Sequence, residues 1–112
     1  MAMKRCLLEI GTGVDLHGRD YTTAAQRAVR DAIQRNSLSF IRAFGATPRS
    51  MLVDVTVAVT RPEMVNHEEV LKMLPYGEKT ITVVQGGLEI PSEDGSDATV
   101  IANAAVIVSL DI

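Results

Sequence analysis

The clearest pattern in the chain is an alternation of apolar and polar side chains over residues 51–60. Met51 and the valines at the following odd positions fall on one side of an extended chain, and the residues between them fall on the other. Pro62 follows and cannot donate to a sheet ladder. The pattern therefore predicts a strand with one face in a core.

A second periodicity, of three and four residues, predicts two helices. Residues 22–35 carry one apolar stripe, and Asp20 or Thr22 is suited to cap the helix start. The stripe consists of small and branched side chains: Ala25, Ala28, Val29, Ala32 and Ile33. A shorter helix opens at Asn66 and is stopped by Pro75 and Gly77.

Apolar runs over residues 4–10, 79–84 and 99–109 predict three more strands. Residues 11–20 and 85–97 are then loops, and residues 37–50 form a short helical turn and a loop. The order β-α-β-α-β-β predicts an α+β fold, a two-layer sandwich of a four-stranded mixed sheet with two helices on one face. No linker divides the chain, so residues 1–112 form a single domain.

The last predicted strand is apolar on both faces, because Ile101, Ala105 and Ile107 lie opposite the valines at even positions. Two helices cover only one face of such a sheet, and an exposed apolar face marks an interaction surface. We expect a second copy of the chain to cover it. The alternative is that residues 37–50 fold over this face in a monomer.

The amino-acid composition limits the kinds of partner that we expect for the chain. The chain has 112 residues, 46% hydrophobic side chains and a net charge of -3. This acidic balance argues against a nucleic-acid partner, and no apolar run is long enough to span a membrane. The single cysteine, Cys6, cannot form an internal disulfide, so we expect a cytoplasmic protein.

The first loop, residues 11–20, holds the densest group of chemically active side chains. His17 is suited to act as a general acid or base, and Asp15 is the candidate that orients it, so both are predicted catalytic residues. Arg19 and Asp20 are candidates for binding substrate, and Gly13 for allowing the backbone to approach it. The alternative is a turn in which the aspartates bond to backbone N–H groups and His17 is solvated.

The second loop, residues 85–97, is longer than a hairpin requires, and long loops in compact domains are often functional. The backbone amides of Gly86 and Gly87 are candidates for stabilising a developing negative charge. We also assign Gln85, Glu89 and Ser92 to substrate binding. The alternative is a solvated acidic hairpin. Histidines and cysteine are too few and too scattered for a metal site, and no cofactor is expected.

Three segments resemble a family of small, conserved, uncharacterised bacterial proteins. These segments contain the motifs Gly13-Val14-Asp15-Leu16-His17-Gly18, Ala28-Val29-Arg30-Asp31-Ala32-Ile33 and Gly86-Gly87-Leu88-Glu89-Ile90-Pro91. The resemblance extends over nearly the whole chain and implies no particular reaction.

The element order also resembles the trimeric chorismate-mutase-like fold, which the reactive-intermediate (enamine/imine) deaminases share, and the repeat units of cyanuric acid hydrolase. This resemblance implies homotrimers, or a multiple of them, with ligand sites between subunits. Two functions follow as hypotheses. One is a hydrolase or deaminase that acts on a C–N bond of a small polar metabolite, such as a cyclic amide or imine. The other is a non-catalytic ligand-sensing or structural assembly module.

Overall fold

The computed structural model describes residues 2–34, 51–74 and 77–111. Within these residues the fold is α+β, with one mixed sheet of five strands and two α-helices. The predicted helical turn at residues 37–50 lies outside the described residues. Within the part described, no helix has the length and the apolar character that crossing a membrane requires.

The elements follow the predicted order, with one strand more than predicted. They are β1 (Met3–Asp15), α1 (Tyr21–Ile33), β2 (Met51–Val59), a 3-10 turn (Pro62–Met64), α2 (His67–Leu71), β3 (Glu78–Gln85), β4 (Leu88–Pro91) and β5 (Ala98–Asp111). The prediction of four strands was therefore wrong. The segment 85–97 is not one loop, because its middle pairs with β5 as β4.

The sheet is built around β5, which pairs antiparallel with β1 along one edge and with β2 and β4 along the other. β3 lies parallel to β2 at the side, so the main order is β1-β5-β2-β3. Between β3 and β4 the chain crosses the end of β2 at Gly86 and Gly87. A Cβ on Gly87 would stand 2.2 Å from the Ile101 carbonyl oxygen, and the φ of Gly87 is +64°, so this crossing requires glycine.

One face of the sheet is packed against α1, whose alanines lie directly on β1. A Cβ added at Gly11 would stand 2.2 Å from the Ala28 carbonyl oxygen, and one at Gly13 would stand 2.2 Å from that of Ala24. The two glycines therefore let the helix backbone rest on the strand. This corrects the assignment of Gly13 to substrate binding, because helix α1 fills the space in front of it.

Helix α1 also covers the outer edge of β1 with polar side chains. Asp31 Oδ2 accepts a hydrogen bond from the Thr12 backbone N–H at 2.9 Å. Arg27 Nη1 donates to the Val14 carbonyl oxygen at 2.6 Å. An uncovered edge strand offers these groups to another chain, so the two bonds protect the C-terminal part of β1 from strand addition.

The second face of the sheet, which we call the open face, keeps large apolar side chains exposed. Its strand positions alternate with the buried ones, and the register places them side by side. The open face consists of Leu8, Ile10, Thr12 and Val14 of β1, the odd positions 99–107 of β5, the even positions 52–58 of β2 and 78–84 of β3, and Leu88 and Ile90 of β4. Leu8 is 58% exposed and Ile10 is 60% exposed. Both helices of the described chain pack on the other face.

Candidate functional site

The two loops singled out in the sequence meet at one end of the sheet, within a single chain. Residues 16–20 connect β1 to α1, and residues 92–97 connect β4 to β5. The Gly18 backbone N–H donates to Asp97 Oδ1 at 2.9 Å. Arg19 Nη2 lies 3.4 Å from the carbonyl oxygens of Gly95 and Asp97. These contacts hold the first loop against the hairpin.

His17 is paired with Asp97 rather than with Asp15. The His17 Nδ1 atom lies 3.4 Å from Asp97 Oδ2, and the two side chains are 88% and 34% exposed. The backbone N–H groups of Gly18 and Ala98, followed by His17, hold the pKa of Asp97 below its ordinary value. Asp97 is therefore an ionised group that can orient the imidazole at neutral pH.

Asp15 and Asp20, by contrast, have structural roles. The Asp20 backbone N–H donates to Asp15 Oδ2 at 3.0 Å, and Asp15 Oδ1 lies 3.8 Å from Arg27 Nη1. Asp20 caps helix α1, because its Oδ1 accepts from the Thr23 N–H at 3.0 Å. These contacts correct the predicted Asp15–His17 pair, since the carboxylate of Asp15 faces the helix start. They also give Asp20 a structural role in place of substrate binding.

A second polar cluster surrounds Glu89, which β4 places on the helix side of the sheet. Glu89 Oε1 accepts from the Tyr21 hydroxyl at 2.6 Å and from the Thr60 hydroxyl at 2.8 Å. Glu89 Oε2 lies 3.4 Å from Arg19 Nε. The two hydroxyl hydrogen bonds lower the pKa of Glu89. Burial, and then the bond to Glu89, raise the pKa of Tyr21. The side chain of Glu89 in β4 thus links the start of α1 to the residue that follows β2.

Three of the predicted binding groups already make contacts within the chain. The Gly86 N–H donates to the Val59 carbonyl oxygen at 2.9 Å, so it is not free to stabilise a charge. Gly87 lies against the Ile101 carbonyl, as described above. The Ser92 hydroxyl donates to Asp94 Oδ1 at 2.9 Å and accepts from the Asp97 N–H at 3.1 Å. The bond of the Gly86 N–H corrects its assignment to substrate binding, whereas Ser92 stays a predicted binding residue. Gln85 ends β3 in register with Val59.

The tip of the hairpin is stabilised internally. Asp94 Oδ1 accepts from the Ser96 backbone N–H at 3.0 Å, from the Ser96 hydroxyl at 2.7 Å and from Ser92. These bonds, led by the Ser96 N–H, lower the pKa of Asp94 to about 2. The turn is a compact unit whose oxygen atoms are already occupied.

A groove of about 200 Å³ lies beside the His17–Asp97 pair. Its lining combines four apolar side chains with four polar ones, and the residues are Leu16, His17, Ile90, Pro91, Ser92, Asp97, Ala98 and Thr99. An apolar cleft with a few convergent polar groups is the usual form of a small-molecule site. Of the predicted catalytic pair, the groove contains His17. Across residues 2–34, 51–74 and 77–111, no cluster of three or more histidine, cysteine or carboxylate side chains is arranged to hold a metal ion.

Three residues of this region lie outside the predicted site. Asp97 was assigned to the second loop but not to the site, and Tyr21 and Thr60 were assigned no role. Their partners lie far away in the sequence, since Tyr21 bonds across 68 positions and Thr60 across 29. One signal was available for Asp97, because it stands directly before a long strand, where loop carboxylates often bond to backbone N–H groups.

Comparison with models of protein families shows which family the chain is related to. The model of a conserved hypothetical protein family, Lin0512_fam, matches residues 5–108. The chain belongs to this family. The expected resemblance to a small conserved family of unknown function is thereby confirmed, while the match does not test the proposed motif. Comparison with the curated proteins found no match.

Among solved structures, one is closely similar to this Lin0512_fam chain. It is described as an FtsZ-like protein of unknown function from Nostoc punctiforme PCC 73102, and its crystal structure extends to 1.22 Å resolution. The two sequences are 43% identical, and the alignment covers 100% of this chain and 99% of that one with a TM-score of 0.86. The match supports the fold over the full length.

Proposed function

We propose that the protein binds a small polar molecule in the groove beside His17 and Asp97. The observation that carries this proposal is the groove itself, where an imidazole paired with a carboxylate stands among apolar side chains and the hydroxyls of Ser92 and Thr99. The acidic hairpin beside it disfavours phosphate and other strong anions, so a neutral polar ligand such as a cyclic amide or imine fits best.

For a catalytic role, hydrolysis of a C–N bond is the reaction that these groups support. His17 would take a proton from water as the water oxygen bonds to the carbonyl or imine carbon. For a cyclic amide, the same imidazole would return that proton to the nitrogen as the C–N bond breaks, leaving an amine and a carboxylic acid. For an imine, it would first give that proton to the nitrogen as water adds, forming a carbinolamine, and would then carry the hydroxyl proton to the nitrogen as the C–N bond breaks, leaving an amine and a carbonyl product. Asp97 would hold the ring in orientation and stabilise its protonated form.

A specific observation favours the second candidate, a non-catalytic ligand-sensing or assembly module. The donors next to His17 are already bonded within the chain, with the Gly18 N–H on Asp97 and the Arg19 guanidinium beside Glu89. Catalysis of acyl transfer draws much of its rate from donors aimed at developing charge. A chain whose donors are occupied is better suited to binding than to hydrolysis.

A homo-oligomer, with the trimer of the chorismate-mutase-like fold as the expected form, remains part of this proposal. The exposed apolar side chains of the open face support it. The half-buried free thiol of Cys6 is compatible with the reducing cytoplasm that the sequence predicts.

The test uses hydantoin, a cyclic amide, as the probe in an NMR titration. We expect the backbone signals of Gly18, Asp97 and Thr99 to shift in the unaltered protein and in His67→Ala, but not in His17→Ala. His67 is the matched control, since it is an exposed histidine at the start of α2. Appearance of ring-opened hydantoin would select the hydrolase, and binding without it would select the non-catalytic module. Shifts that are absent, or that persist in His17→Ala, would reject the site.

A further inference from the structure

We infer that the open face is the surface through which copies of this chain associate, and that the neighbouring copy supplies the missing wall of the groove. This inference rests on the proposed function, because it concerns the same groove. It adds that the open face is buried between copies and that the groove of one chain is incomplete without its neighbour.

The groove and the open face share residues. Ile90 and Thr99 line the groove, and the pairing of β4 with β5 places both side chains on the open face. Ile90 is 55% exposed, so the groove is open to solvent where it meets the open face. Whatever covers the face at this end also covers the groove.

The size of the open face suits a second copy of the chain. Strands lie about 4.8 Å apart and same-face side chains about 6.6 Å apart, so each position covers about 30 Å² and the face is on the order of 600 Å² in projection. A stable interface buries about 800 Å² of accessible surface on each partner, and the accessible surface of a corrugated face exceeds its projection. Two sheets packed face to face are an established arrangement of this size.

Two pairs of polar side chains on the open face bond to each other. The Thr80 hydroxyl donates to Asp54 Oδ1, and Thr12 Oγ1 lies 3.4 Å from Asn103 Oδ1. A buried polar group costs stability chiefly when it has no partner, so these in-plane bonds lower the cost of covering the face.

The apolar residues of the face are distributed in a way that favours like-with-like contact. Leu8 and Ile107 pair at one end, Val14 and Ile101 pair at the other, and the Thr12–Asn103 pair lies between them. A surface that is similar from either end can match itself in a symmetric contact. The alternative route, strand addition, is obstructed along the C-terminal part of β1 by the bonds of Asp31 and Arg27 to its edge.

The experiment compares Leu8→Lys with Met64→Lys in the full chain. Both side chains are 58% exposed, but Met64 lies in the 3-10 turn on the other side of the sheet. Light scattering coupled to size exclusion should show an oligomer for the unaltered protein and for Met64→Lys, and a monomer for Leu8→Lys. Ile10→Lys is the second face variant, and thermal unfolding confirms that each variant is folded.

Chemical modification of histidine with diethylpyrocarbonate tests closure of the groove. If the neighbouring copy covers the groove, His17 should react severalfold faster in Leu8→Lys than in the unaltered protein, while His67 reacts at the same rate in both. A monomeric unaltered protein would overturn the inference, and so would an oligomer that survives both face variants. Dissociation without a change in His17 reactivity would show that the neighbouring copy does not cover the groove. Hydantoin binding by a monomeric protein would retain the proposed function while rejecting this inference.

Discussion

Glu89 shows how a single carboxylate can hold three elements together. It sits at the start of a four-residue strand, yet it receives hydroxyl hydrogen bonds from Tyr21 of α1 and from Thr60 at the end of β2. Hydrogen bonds to a charged acceptor are stronger than those between neutral groups. Glu89 is therefore a stabilising group, and its contribution to any ligand chemistry is indirect, through the position of Arg19.

Substitution of Glu89 should destabilise the fold in a pH-dependent way. We expect Glu89→Ala to cost about 2–3 kcal/mol and Glu89→Gln about 1 kcal/mol at neutral pH, because the amide keeps an acceptor but loses the charge. Since the pKa of Glu89 is lowered in the folded state, the unfolded chain takes up the proton first as the pH falls. Its contribution is thus complete above the ordinary glutamate pKa and is lost as the pH falls through the folded-state pKa.

Urea unfolding between pH 3 and pH 7 measures this effect. Glu89→Gln should flatten the loss of stability at acid pH. Glu93→Gln is the control, because Glu93 is exposed in the hairpin turn, and it should stay within about 0.5 kcal/mol of the unaltered protein. If the free energy of unfolding fell equally at acid pH in Glu89→Gln and in the unaltered protein, the stabilising role of the Glu89 carboxylate would be contradicted.

Asp97 is expected to affect the groove more than the fold. Asp97→Asn retains an acceptor for the Gly18 N–H but removes the negative charge beside the His17 imidazole. We predict that hydantoin binding weakens severalfold in this variant, while the melting temperature changes little because the side chain is partly exposed. NMR titration measures the affinity, with Glu93→Gln again as the control. Unchanged affinity in Asp97→Asn would show that the carboxylate does not orient His17.

At the scale of the elements, the contact between α1 and β1 depends on the absence of two side chains. Gly13→Ala should be favourable by about 0.5–1 kcal/mol from strand propensity alone. The added Cβ, however, would stand 2.2 Å from the Ala24 carbonyl oxygen and the Ala28 nitrogen, which are backbone atoms of α1. The helix must move away from the sheet, so we predict a net loss of at least about 3 kcal/mol.

Chemical denaturation of Gly13→Ala checks this value against Glu93→Ala, whose side chain is exposed in the hairpin turn. The control should remain within about 0.5 kcal/mol of the unaltered protein. A Gly13→Ala variant as stable as the control would mean that α1 does not rest on the strand as described.

Most elements could be predicted from local sequence patterns, because the cause of each lies within a few residues. The alternation of 51–60 matches β2, and the stripe of 22–35 matches α1, which Asp20 caps as one of the two candidates. β4 was missed because its four residues follow two glycines, and its strand conformation comes from pairing with β5. Gly11 and Gly13 were assigned to a loop for a similar reason, since the helix that requires them begins later in the chain.

The candidate site was predictable only in part. The position of both loops at one end of the sheet follows from the order of the elements, and the sequence singled out His17. The choice of Asp97 over Asp15 as its partner depends on which way each carboxylate faces. Asp15 ends β1 on the helix side of the sheet, and no local pattern shows that Asp20 and Arg27 will engage it there.

At the scale of the whole molecule, the two faces of the sheet have different roles. The helix layer supplies the buried core, and the open face keeps large apolar side chains in contact with solvent. The groove lies where the open face meets the hairpin. Association of copies would therefore alter the groove and the stability of the fold at the same time.

The melting temperature should consequently depend on protein concentration. An oligomer that unfolds to separate chains gains stability with concentration, and a hundredfold increase should raise Tm by about 5 °C for a chain of this size. Calorimetry should show this rise for the unaltered protein and for Met64→Lys, but not for Leu8→Lys. A constant Tm in the unaltered protein would contradict association through the open face.

The self-contained turn at the tip of the hairpin has a practical consequence. Around Gly95 there is no atom within 4 Å of the position of a Cβ, and the exposed Glu93 adjoins the Pro91 and Ser92 walls of the groove. Because Cys6 is the single cysteine, a Glu93→Cys variant carrying Cys6→Ser accepts one fluorescent dye at one site. Such a labelled protein would signal occupancy of the groove by a change in emission, and a library of metabolites could then be screened while the identity of the ligand is still open.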